Sequence, residues 1–147
     1  MIHPQYFATI AVLLLVTTCR ASPRYFNTCA NGCGWRLDSN ADGSVYISTP
    51  NNGAYQLWNW NNDLTITDAA TGLCLDSNGY YVNTVTATCN GGNYQKWRGG
   101  PNMGQVYNVA TNLCLVVNKF HLWPYPPIWS VQTQCCSQGD VMQNWSA

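Results

Sequence analysis

Hydrophobic and polar side chains alternate in short runs along this chain, as in Ser44-Val45-Tyr46-Ile47-Ser48, and the same period of two recurs over residues 64–67 and 82–88. Such alternation predicts strands with one packed face and one wet face. Between the runs stand Asp42-Gly43, Asn51-Asn52-Gly53, Asn61-Asn62-Asp63, Asn90-Gly91-Gly92 and Pro101-Asn102, residue types that tolerate left-handed backbone or form Asx turns. No stretch places apolar residues at helical spacing, so the expected class is all-β.

The strands belong to a longer repeat. Trp35-Arg36-Leu37-Asp38-Ser39-Asn40, Leu73-Cys74-Leu75-Asp76-Ser77-Asn78 and Leu113-Cys114-Leu115-Val116-Val117-Asn118 are versions of one segment. Each is closed downstream by Gln-x-Trp: Gln56-Leu57-Trp58, Gln95-Lys96-Trp97 and Gln143-Asn144-Trp145. A unit of roughly forty residues is too small to bury its own hydrophobic face, so copies must stack around a shared core. Three copies are too few to close a propeller, which needs about four blades or more.

Composition narrows the function. With 46% hydrophobic and 13% aromatic residues in 147, the chain can bury a core as a single domain. Only 8% of residues are charged, the formal net charge is zero and Arg24, Arg36, Lys96, Arg98 and Lys119 are scattered. That leaves no basic face for phosphates, which excludes nucleic acid as the main partner. The chain holds no Glu, no Gly-x-Ser-x-Gly and no phosphate-binding loop, so no enzyme chemistry is expected.

An apolar run over residues 7–16, too short to span a bilayer, is followed by Thr17-Thr18-Cys19-Arg20-Ala21-Ser22. It reads as a signal peptide of residues 1–21, leaving a mature domain of residues 22–147 in a secreted, extracellular protein with no membrane span. That domain keeps seven cysteines and a single histidine, His121. Disulfides are therefore expected, with no metal site and no cofactor. The repeat pairs Cys74 with Cys89, and Cys114 with Cys135 or Cys136, a choice that spacing leaves open. Arg36 stands where the first copy would have its cysteine, and that copy has no downstream partner either. Cys29 and Cys33 can bridge each other or reach the spare member of the 135–136 pair.

The third copy is longer by about nine residues, inserted around residues 119–129 and including Phe120, Leu122, Trp123, Tyr125, Ile128 and Trp129. An apolar, proline-rich insertion cannot join a central strand and is expected to protrude or fold back as a cap.

Leu-Cys-Leu-Asp, a following Cys and the closing Gln-x-Trp, in three copies over about residues 25–147, resemble the ricin B-type lectin family. The resemblance implies a β-trefoil of three pseudo-symmetric repeats. It implies that Trp58, Trp97 and Trp145 pack in the core, that Gln56, Gln95 and Gln143 order the backbone around them, and that Trp35, Leu73 and Leu113 are core positions. It also implies that Asp38 and Asp76 accept hydrogen bonds from sugar hydroxyls, a task suited to a charged acceptor, although Asp-Ser-Asn is also a good turn former. The third copy has Val116 there, so its site is expected to be absent.

The chain departs from the family elsewhere. The stacking aromatic expected two residues before the second Cys is Ala87 in the second copy, and Ile47 takes that place in the first. Tyr55 and Tyr94 precede the closing Gln where Asn is usual, with Asn93 one step earlier. A ring for stacking would have to come from Tyr80, Tyr81 or Tyr46, and the expected sugar contacts are Asp38, Asp76, Asn93 and Tyr81. Asp38 and Asp76 are not a glycosidase pair, because equivalent places in a repeat give equivalent surroundings whereas that chemistry needs two different pKa values at one bond. The expected function is a secreted module binding glycans or glycoproteins, galactose-type or related, through weak sites in repeats 1 and 2. The alternative is a sugar-blind trefoil that binds a protein partner through the loop 119–129.

Overall fold

The computed structural model describes residues 22–30, 32–120 and 128–147. The expected leader, residues 1–21, and most of the aromatic insertion, residues 121–127, lie outside the described residues.

Among the described residues the strands run β1 (Asn27–Thr28), β2 (Trp35–Ser39), β3 (Val45–Ser48), β4 (Trp58–Trp60), β5 (Ile66–Asp68), β6 (Cys74–Asp76), β7 (Val85–Ala87), β8 (Trp97–Gly99), β9 (Val106–Asn108), β10 (Cys114–Phe120), β11 (Ile128–Gln134) and β12 (Trp145–Ser146). Pairing is antiparallel in the orders β12-β1-β2-β3-β11-β10-β9-β8 and β4-β5-β6-β7. Four strands make each repeat, and the last strand of the chain pairs with the first, Asn27 opposite Ser146. This is the β-trefoil. One turn of 3-10 helix precedes each closing tryptophan: Ala54–Gln56, Asn93–Gln95 and Val141–Gln143.

The core repeats with the sequence. Trp58 and Trp97 are fully buried and Trp145 nearly so, and each indole N–H donates to a leucine carbonyl: Trp58 to Leu37 at 3.1 Å, Trp97 to Leu75 at 2.9 Å and Trp145 to Leu115 at 3.0 Å. A buried indole without that acceptor would carry an unpaid desolvation cost. Leu37, Leu75 and Leu115 are themselves completely buried. Trp35, Leu73 and Leu113 are half-buried rather than fully buried, with Trp35 packed against the core from its edge. They stand two positions before the buried leucines, at the strand entries, and Trp35 packs there against Trp129, ring centroids 6.4 Å apart.

The bridges are Cys29–Cys33, Cys74–Cys89 and Cys114–Cys136, with Cys135 free and exposed. Of the two candidates for Cys114, Cys135 is thus not the partner, and strand parity explains why. Cys74 lies opposite Ala87 and bonds two residues beyond it; Cys114 lies opposite Gln134, and two residues beyond is Cys136. In extended chain Cys135 points to the other face. Cys136→Ser is therefore expected to cost about 3 kcal/mol in the chain-entropy account, whereas Cys135→Ser leaves stability within about 0.5 kcal/mol as an exposed substitution. Urea unfolding of the two variants checks this.

The third-repeat insertion does not leave the sheet where the sequence suggested. β10 and β11 pair without interruption from Cys114 opposite Gln134 to Phe120 opposite Ile128, so both ends of the insertion extend a hairpin. The Lys119 ammonium lies 5.1 Å from the Trp129 ring centroid, a cation–π contact near its outer end.

Candidate sugar-binding corner

The closing glutamines are buried and clamp the turn before each 3-10 segment. Gln56 Nε2 donates to the Thr49 carbonyl at 2.9 Å while its Oε1 accepts from Asn51 N–H at 3.1 Å. Gln95 does the same with Thr88 at 3.0 Å and Asn90 at 2.8 Å, and Gln143 with Cys135 at 2.8 Å and Ser137 at 2.9 Å. The amide's second hydrogen reaches the aspartate of its own repeat: Gln56 to Asp38 Oδ2 and Gln95 to Asp76 Oδ2, both at 2.9 Å. In the third repeat Val116 is buried and offers no acceptor; Gln143 Oε1 instead takes a further bond from Gln105 Nε2 at 2.9 Å.

The two aspartates differ in what else they meet. Asp38 is only 3% exposed, and its Oδ1 accepts from Ser39 N–H at 2.9 Å, so both oxygens are engaged by protein. Asp76 is half-buried, and among the described residues Gln95 is its hydrogen-bonding partner, through Oδ2 alone. Its Oδ1 is left to the outside.

Cross-strand neighbours account for the difference. Tyr46 lies directly opposite Asp38, and its hydroxyl donates to the Ser39 carbonyl at 3.1 Å. Burial, then the nearby Asp38 and Tyr55, raise the Tyr46 phenol above its usual range. Opposite Asp76 the residue is Val85, 43% exposed. Tyr94, 48% exposed, sets its backbone against the end of the same strand, its carbonyl accepting from Ser77 N–H at 3.3 Å. Asp76 and Val85 thus form an accessible corner of one carboxylate oxygen and one apolar side chain, with the exposed Tyr94 tied to the end of the same strand through its backbone.

The other expected contacts are placed differently. Asn93 is exposed at the start of the 3-10 turn that carries Gln95. Tyr81 is 54% exposed at φ +57°, its ring edge-on to Tyr80 with centroids 4.2 Å apart. Its loop is fastened to the third repeat, through Tyr81 N–H to the Thr133 carbonyl at 3.0 Å and Thr84 N–H to the Val131 carbonyl at 2.8 Å. A hydrogen bond to Tyr81 above all pushes the Tyr80 phenol up to about 12. No hydrogen bond joins Tyr81 or Asn93 to Asp76 among the described residues. The register also makes Ser48, not Ile47, the first-repeat counterpart of Ala87, because Arg36 faces Ser48 as Cys74 faces Ala87.

Sequence reasoning missed Val85 as a neighbour of Asp76 and Asp68 as a structural carboxylate. Asp68 is fully buried and accepts from Ser39 Oγ at 2.7 Å, Thr71 N–H at 2.8 Å and Thr71 Oγ1 at 3.0 Å. Asn108 holds the equivalent turn, which the parallel of Asp68-Ala69-Ala70-Thr71 and Asn108-Val109-Ala110-Thr111 could have revealed. No group of three metal-ligating side chains occurs among the described residues, and no described helix is long and apolar enough to cross a membrane.

A family model for the ricin-type beta-trefoil lectin domain matches residues 27–145. No curated protein matches the chain. Among solved structures, the agglutinin from Abrus precatorius superposes with a TM-score of 0.68 at 16% identity, over 90% of this chain and 50% of that one. A non-toxic homologue of type II RIPs from Momordica charantia, in complex with α-methyl-D-galactoside, gives 0.67 at 18% identity over 85% and 48%. The β-trefoil lectin of the Vibrio vulnificus hemolysin/cytolysin, with N-acetyl-D-lactosamine bound, gives 0.64 at 15% identity over 85% and 92%. The chain spans about half the length of the two plant proteins.

Proposed function

The chain belongs to the ricin-type β-trefoil lectin family, and from that membership we propose that it is a secreted carbohydrate-binding module, mature from residue 22, whose sugar contact is made in the second repeat. The observation that carries this reading is the unengaged Oδ1 of Asp76 at an accessible corner, beside a carboxylate oxygen already held by Gln95. A sugar hydroxyl donating to Oδ1 makes a charge-assisted bond, worth about 1.5–3 kcal/mol. Tyr94 and Val85 offer apolar surface for the C–H face of the ring, in place of the family's stacking aromatic. Asn93, on the same turn as Tyr94, is available to a neighbouring hydroxyl.

The ligands of the plant and bacterial neighbours, a galactoside and N-acetyl-D-lactosamine, make galactose-type glycans or glycoproteins the first to try. The reading is binding rather than catalysis: among the described residues the Asp76 carboxylate is hydrogen-bonded by Gln95 and by no second acid or base. The test is capture of the mature, oxidised protein on immobilised glycans beside Asp76→Ala. A loss of about tenfold or more in apparent affinity is expected, the equivalent of at least ~1.4 kcal/mol. Unchanged capture by Asp76→Ala would refute the Asp76 site. Binding that instead followed deletion of the loop 119–129 would support a protein-type interface there.

A further inference from the structure

Given a sugar site at Asp76, we infer that Tyr46 is a built-in plug: it occupies, beside Asp38, the space that a ligand takes beside Asp76, so the fold carries a second corner that is complete but closed. The two corners share their working parts. Each has an aspartate held by the closing glutamine at 2.9 Å, a serine next in the chain and a tyrosine before the glutamine. They differ at the residue directly opposite the aspartate, Tyr46 against Val85. Residues directly opposite on antiparallel strands put their side chains on one face with Cβ atoms about 5 Å apart. A tyrosine there reaches across its partner, whereas a valine ends short of it.

The exposures follow that difference. Asp38 is 3% exposed, while Asp76 is half-buried beside a Val85 that is itself 43% exposed. The Tyr46 ring is fixed in place by its hydroxyl on the Ser39 carbonyl at 3.1 Å. The next residue across the sheet from Tyr46 is Ser130, too short to cover Asp38. Tyr55, the counterpart of Tyr94, is half-buried near the Tyr46 phenol, whereas Tyr94 is 48% exposed. With Val116 removing the third corner, one of the three repeat corners is open among the described residues.

The experiment exchanges the opposing residues and reads two signals. Calorimetric titration with N-acetyl-D-lactosamine is expected to give about one site per chain in the native protein, about two in Tyr46→Val and none in Val85→Tyr. Carbodiimide coupling of glycinamide to the folded protein, mapped by mass spectrometry, is expected to modify Asp76 but not Asp38. In Tyr46→Val, Asp38 labelling should rise to the level of Asp76; Tyr46→Phe, which keeps the ring, should leave it protected. Asp38 that stays protected in a folded Tyr46→Val protein, or is already labelled in the native one, overturns the plug. One site in both the native protein and Tyr46→Val, with Asp38 newly labelled, overturns the claim that the closed corner is complete. If the native protein binds no sugar, the sugar-site reading fails, and with it the ligand half of this inference; the labelling still decides whether Tyr46 covers Asp38. Should Tyr46→Val not fold, Val85→Tyr still tests the account, and retained binding in that folded variant overturns it.

Discussion

Trp97→Ala is expected to remove roughly 3–5 kcal/mol of stability, the range for truncating a buried large aromatic. The side chain is fully buried, and its indole N–H is bonded to the Leu75 carbonyl at 2.9 Å. The truncation therefore opens a cavity between repeats and also leaves a buried carbonyl without its donor. Against a total of about 5–15 kcal/mol for a domain, this brings the protein close to unfolding at room temperature. Trp97→Phe keeps most of the volume and loses the hydrogen bond, so it should cost distinctly less. Urea denaturation followed by tryptophan fluorescence and far-ultraviolet circular dichroism measures both. A loss below about 1 kcal/mol for the alanine variant would contradict the central packing described here.

Gln56→Ala should cost roughly 3 kcal/mol or more near neutral pH, because it strands a charge. Asp38 is 3% exposed and would be left with the single donor of Ser39 N–H. Its turn would also lose the bonds to the Thr49 carbonyl and the Asn51 amide. Gln143→Ala faces Val116 in place of a carboxylate and should lose its turn bonds without stranding a charge, so it should cost distinctly less. Denaturant midpoints of both variants near neutral pH separate the two cases.

The trefoil was legible because its structural devices recur. Each Gln-x-Trp joins a backbone clamp to a core indole, and each does the same work in its own repeat. The Cys74–Cys89 bridge was legible for the same reason. Cys136 was not, because two adjacent cysteines differ only in the face to which they point, and that parity is set by the pairing of Cys114 with Gln134. The half-burial of Trp35, Leu73 and Leu113 was missed because their apolar character fits a strand entry as well as a core. Least visible was the difference between Asp38 and Asp76. Their local sequences, Leu-Asp-Ser-Asn, are identical, and what separates them is the residue across the strand pair, eight positions on in one case and nine in the other. A repeat alignment shifted by one residue, as with Ile47 for Ser48, hides that neighbour.

The central claim is that sugar is held at the Asp76 corner. Its most direct test is a titration of isotope-labelled, oxidised mature protein with N-acetyl-D-lactosamine, followed by amide chemical shifts. Progressive, saturable shifts confined to Asp76, Val85, Asn93 to Gln95 and their neighbours are predicted, with Asp38 and Val116 unmoved. Shifts centred on the β10–β11 hairpin, or none at millimolar sugar in a well-folded sample, would contradict it.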